Sequence, residues 1–174
     1  MQLWTNKHYN SSYLSFSCAV TGLTLFSVLF FLWSCAAKPS PTQTRPNILL
    51  LNKWSGDYPV SQLARLPAGQ CESQVGYIED VDTFIFIWRA FMPNQILPAI
   101  DFSKDLIVFT RNVKFYNQQS ILTVRLEDNT AVIIVMETMS ARPIEDLVSM
   151  SMAVIPRTGI ESIRSGTEII KVRN

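Results

Sequence analysis

The sequence predicts a mainly β fold of α+β type: a hydrophobic N-terminal signal segment, a proline-rich tether, then one antiparallel β-rich domain with one packed helix. Three observations predict it. Short runs of β-branched and aromatic residues recur through the second half of the chain, one of them alternating with period two. A single run, 82–92, spaces its large apolar residues as a helix would. No charged residue of either sign lies between Tyr9 and Ala37, and the first acidic residue is Asp57.

The N-terminal segment comes first. Residues 14–33 are apolar and follow Lys7 and His8, the order of a secretory signal. A run of about 20 residues is also long enough to span a bilayer as a helix. The run ends in Leu32-Trp33-Ser34-Cys35, which resembles a bacterial lipobox, although Trp33 is bulkier than usual. In that reading the Cys35 thiol takes a diacylglyceryl group, and Ser34 is small enough to enter the peptidase. The freed Cys35 amine then takes a palmitate-type chain. Each buried CH₂ adds about 0.8 kcal/mol of membrane affinity, so two or three chains anchor stably. Three processing routes stay open: cleavage between Ser34 and Cys35, an uncleaved transmembrane anchor, and ordinary signal-peptidase cleavage after Ala36. The first is preferred, and all three place the domain outside the cytoplasm. Ala36 follows the cysteine where enterobacterial inner-membrane lipoproteins carry Asp, which favours the outer membrane. The organisation is therefore signal 1–34, lipidated cysteine and tether 35–46 with three prolines from Ala36 onward, and one domain at 47–174.

Within the domain, 47–53 is a short apolar run and 105–113 a β-branched and aromatic one. In 120–127 Leu122, Val124 and Leu126 alternate with Thr123 and Arg125, which predicts a half-buried strand. Residues 130–137 are apolar on both faces, which predicts a central, doubly covered strand. Glu127-Asp128-Asn129-Thr130 predicts a hairpin turn between these two, because Asp and Asn tolerate turn conformations. Residues 151–156 and 167–172 are further strand candidates, with Gly159 and Gly166 in turns. The run 82–92 is rich in strand formers and reads as strand or helix; the helix is preferred, because Asp82 is a candidate cap, Pro93 a stop, and Phe84, Ile87, Trp88 and Phe91 then share one face.

Composition narrows the chemistry. Fifteen basic residues balance fourteen acidic ones with no basic block, which argues against nucleic-acid binding. His8 is the one histidine, so a His-based triad or His-rich metal site is nearly excluded. Cys18, Cys35 and Cys71 fit no zinc-site or CxxC spacing, and Cys71 has no histidine to activate it. No Walker, GxGxxG, GxSxG or SxxK motif occurs. No cofactor and no metal is expected. The acidic groups Glu79, Asp80 and Asp82, Glu127 and Asp128, and Glu145 and Asp146 read as turn and helix-start residues. Asp80 and Asp82 lack the further oxygens and the glycine turn that a calcium loop needs. Met136, Met139, Met150 and Met152 read as core filler, with Met150 and Met152 on one face. The stretch 140–146, with Arg142 and Glu145, reads as a loop, a plain connection in preference to a binding loop.

Trp88 is followed by Leu97-Pro98-Ala99-Ile100-Asp101-Phe102-Ser103-Lys104 and then an apolar strand at 106–109. This order, from Trp88 to about Met136, resembles the C-terminal domain of the protease complex subunit PrcB family. The resemblance implies a small extracytoplasmic domain, often on a lipoprotein, linked to stabilising or assisting a surface protease. It implies fold-determining roles for Trp88, Pro98, Asp101 and Phe102. The chain departs from the family at 112–120, where a glycine-rich turn is replaced by a stretch with no glycine. The expectation is a non-enzymatic lipoprotein, anchored to the membrane through Cys35, that binds or stabilises an envelope protein. The alternatives are a small-ligand-binding lipoprotein, which requires a concave apolar pocket, and an envelope hydrolase using carboxylates such as Asp101 or Glu137. That hydrolase requires a cleft with two close carboxylates and a raised pKa.

Overall fold

The structure is a computed structural model that describes residues 46–140 and 142–173. Ser34, Cys35, the apolar segment and most of the tether lie outside the described residues. Among the described residues no helix is long and apolar enough to cross a membrane.

The domain is mainly β. In chain order the strands are β1 (Asn47–Ile48), β2 (Asn52–Pro59), β3 (Val75–Ile78), β4 (Asp105–Arg111), β5 (Gln119–Glu127), β6 (Thr130–Glu137), β7 (Leu147–Pro156), β8 (Ser162–Ser165) and β9 (Glu168–Lys171). A 3₁₀ helix (Val60–Arg65) follows β2, and helix α1 (Val81–Phe91) follows β3. One sheet has the order β1-β5-β6-β8-β9 and the other β2-β7-β4-β3.

Side-chain alternation stacks these elements in three layers. In β7, Val148, Met150, Met152 and Val154 pack with Ile107 and Phe109 of β4 against α1. Ala153 and Ile155 point the other way, with Leu106 and Val108, onto Val124, Ala131, Ile133 and Ile163 of the five-stranded sheet. The four-stranded sheet is therefore covered on both faces, which is why β4 and β7 read as nearly unbroken apolar runs. Helix α1 buries Phe84, Ile87, Trp88 and Phe91, the stripe that its periodicity predicts. Trp88 meets Trp54 of β2 edge-on with ring centroids 5.0 Å apart.

Local chemistry sets several boundaries. The helix is capped by Asp80, whose carboxylate accepts from the Thr83 N–H at 2.8 Å, and not by Asp82, which sits in the first turn. Asp80 has the extended backbone that a cap needs, and Asp82 is already helical. The β5–β6 hairpin turns through Asp128 and Asn129, both at positive φ (45° and 63°), as a two-residue loop requires. Gly159 and Gly166 also adopt positive φ.

Four expectations are corrected. The domain is not wholly antiparallel: β8 pairs parallel to β6, because the chain leaves β6, crosses to the other sheet as β7, and returns in β6's direction. The alternation predicted for 120–127 breaks at Leu122. A register shift between Ile121 and Thr123 makes Leu122 the extra residue of a bulge, so Ile121 and Val124 are buried while Leu122 is exposed. The run 47–53 is not one strand; β1 ends at Ile48, and β2 begins at Asn52 and continues through Gly56 to Pro59. Met150 and Met152 are core, but Met136 and Met139 are exposed. β6 does lie centrally in its sheet, with both faces covered only at Ala131, Val132 and Ile133.

Candidate functional site

The site begins at a half-paired edge. Among the described residues β1 reaches only Val124 and Arg125 of β5, and no strand pairs with the first half of β5 on that side. Its backbone N–H groups are satisfied from the opposite sheet. Gln119 N–H donates to Ser149 Oγ and Ile121 N–H to Ser151 Oγ, each at 3.1 Å. Ser151 Oγ also donates to the Trp54 carbonyl at 3.0 Å and lies 2.9 Å from Ser55 Oγ. Thr110 Oγ1 donates to Gln119 Oε1 at 3.2 Å. Thr110, Gln119, Ser149 and Ser151 are all buried, so this is a satisfied polar seam inside the inter-sheet layer.

The seam opens into a groove of ≈ 560 Å³. One wall is Ser55, Gly56 and Asp57 of β2; the other is 118–120 and 136–138, with Ser149 also lining the groove. Its lining includes two carboxylates, Asp57 and Glu137, and no Lys or Arg. Asp57 accepts from the Tyr116 hydroxyl at 2.7 Å. That hydrogen bond, then burial and the Asp57 charge, push the Tyr116 phenol above its ordinary pKa, and Arg142 opposes them. Glu137 Oε1 accepts from Asn117 Nδ2 at 2.7 Å and from Asn112 Nδ2. Asn112 Oδ1 in turn accepts from the N–H groups of Lys114 and Phe115 at 2.8 Å, which folds the loop that carries Tyr116. Arg142 lies over the Tyr116 ring at 5.3 Å, and its carbonyl accepts from Tyr116 N–H at 2.9 Å. The stretch expected to be a plain connection thus clasps the groove's rim loop.

Of the residues named from the sequence, Glu137 lines the groove, and Trp88, Pro98, Asp101 and Phe102 fall elsewhere. Trp88 is buried under α1, and its indole N–H donates to the Gln95 carbonyl at 3.4 Å. Pro98 lines a shallow hollow with Leu51, Asn52 and Trp54. Phe102 is half-buried, 5.9 Å from the Phe84 ring. Asp101 is a turn residue: its carboxylate accepts from the Ser103 hydroxyl and N–H and pairs with Lys104 at 3.0 Å, and its carbonyl accepts from Asp105 N–H where β4 starts. Those partners hold the Asp101 carboxyl below its usual range, first the Ser103 hydroxyl and then Lys104. A general acid would need the opposite shift. Asp101 precedes the first residue of β4, whereas Glu137 bonds to Asn112 just past its last. Seven residues of strand, about 20 Å, separate the two ends. The fold does not bring these carboxylates together. The groove's lining combines serine, glutamine, threonine and two acidic side chains with Gly56 and Met136.

Cys71 is a half-buried free thiol whose carbonyl accepts from the Arg111 guanidinium. Arg111 is buried, and burial lowers its pKa. Among the described residues no three His, Cys, Asp or Glu side chains gather as a metal site.

Sequence reasoning missed Asp57, Tyr116, Gln119, Ser149 and Ser151. Two signals were available. In 52–59, Trp54, Gly56 and Tyr58 alternate with Lys53, Ser55 and Asp57. In 147–156, two serines sit at strand spacing within an apolar run. Comparison with protein-family models, with curated proteins and with solved structures returns no match for this chain.

Proposed function

We propose that this protein is a lipoprotein of the bacterial cell envelope, anchored through Cys35, that works without catalysis by binding or stabilising another envelope protein. The observation that carries the binding half is β2. It is eight residues long, it lies at the edge of its sheet, and among the described residues it pairs only with β7. A long strand with one free edge is a template for a strand from another chain. The lipobox-like Leu32-Trp33-Ser34-Cys35 supports the anchoring half. The resemblance from Trp88 to Met136 extends the reading to a surface protease as the class of partner.

The test is native mass spectrometry of the protein extracted in mild detergent from its own membrane. The expected result is a diacylated chain beginning at Cys35 with a stoichiometric second protein. A lone chain overturns the binding half. Unchanged processing and membrane retention of Cys35→Ala overturn the anchoring half.

A further inference from the structure

We infer that the groove along β2 takes an extended segment of the partner protein, added as a strand to the free edge, with a lysine or arginine of that segment seated between Asp57 and Glu137. The inference rests on the protein-binding reading above and adds the chemistry of the partner.

Three features converge on one place. Ser55, Gly56 and Asp57 belong to the edge strand β2 and line one side of the groove. Main-chain hydrogen bonds to such an edge give affinity, and pockets for alternate side chains give specificity. Gly56 keeps the strand close to α1: a Cβ there would lie 3.1 Å from Met92 Cε and 3.4 Å from the Phe91 ring. The Ser55 and Asp57 side chains project to the opposite face, into the groove.

Charge then selects the occupant. Asp57 and Glu137 both line the groove, and among the described residues no Lys or Arg lines it. Their described hydrogen bonds come from a neutral phenol and two neutral amides. The nearest cation on β2, Lys53, points along the seam to the Ile121 carbonyl at 3.4 Å. A basic side chain placed between them gains two charge-assisted hydrogen bonds in a partly desolvated site. An acidic segment meets like charge, and so does a second copy of this chain paired edge to edge through the same two carboxylates.

The probes are two fluorescein-labelled peptides, TVKVTVKVT and the same peptide with glutamate for lysine, titrated against the full chain in detergent by fluorescence anisotropy. The lysine peptide is expected to bind at least tenfold more tightly than the glutamate peptide. Its binding is expected to slow amide hydrogen exchange across Asn52–Pro59. Asp57→Asn keeps an acceptor for Tyr116 and removes the charge; it is expected to weaken the lysine peptide about fivefold to tenfold and to strengthen the glutamate peptide, narrowing the gap between the two. Equal binding of the two peptides, no binding of either, or exchange protection away from β2 overturns the inference. So does a dimer of the chain whose exchange footprint covers β2. A membrane-extracted partner whose footprint lies off β2 overturns it too and leaves the protein-binding reading standing; absence of any partner ends that reading itself.

Discussion

The two faces of β7 are built from different materials. Toward α1 it presents Val148, Met150, Met152 and Val154 to a layer of Trp54, Trp88, Phe84, Phe91 and Phe109. Toward the other sheet it presents Ser149, Ser151, Ala153 and Ile155. The first layer is apolar along its length. The second grades from Ile155, Ile133 and Ile163 at one end to a hydroxyl and amide seam at the other. The helix layer can be apolar because α1 satisfies its own backbone. The inter-sheet layer must be polar where the half-paired β5 brings bare N–H groups into the interior. Apolar packing is therefore unbroken on the helix side, and the groove opens where the other side is forced to be polar.

The largest test of this contrast is Trp88→Ala. It removes the centre of the aromatic cluster and is expected to cost about 3–5 kcal/mol, read as a lowered urea midpoint with unchanged slope. Gly76 probes the same side by overpacking. It faces Phe109 across the β3–β4 pair, and a Cβ would overlap both that ring and the Gln70 side chain. Gly76→Ala is expected to cost about 1–3 kcal/mol in the same measurement. On the seam, Ser151→Ala leaves the Ile121 N–H without its acceptor and is expected to cost about 1–3 kcal/mol, with faster exchange at that amide. A neutral result there would show that water replaces the hydroxyl and that the seam is wetter than drawn.

The smallest expected effect is at the groove rim. The folded state raises the pKa of Tyr116, so it favours the protonated phenol. The associated stability is fully present below the unfolded tyrosine value of about 10 and is lost as pH rises through the raised folded value. An alkaline stability titration of Tyr116→Phe is expected to lack that loss. Identical curves for the two proteins would remove the Tyr116–Asp57 bond from the account of the groove.

Much of the helix side was legible in the sequence, because Phe84, Ile87, Trp88 and Phe91 state their shared face by spacing alone. The groove was not, because its walls come from four strands distant in sequence and its residues are ordinary serines, glutamines and acids. β2 was the costliest omission: Gly56, Asp57 and Pro59 are poor strand formers, and only pairing with β7, from Asn52↔Val154 to Pro59↔Leu147, holds them extended. The bulge at Leu122 was hidden for a related reason, since an extra residue is defined only against its partner strand.

By itself the sequence determined the β-rich class, the buried face of α1 and the turns at Asp128-Asn129, Gly159 and Gly166. These depend on side-chain period and on which residues tolerate positive φ, and both are local properties. Only the tertiary structure decided which sheet each strand joins, that β8 runs parallel to β6, and that Asp57 and Glu137 line one groove. Period tells a strand which face to bury; it carries no information about the partner at its edge, which is fixed only when distant segments compete to satisfy the same backbone groups.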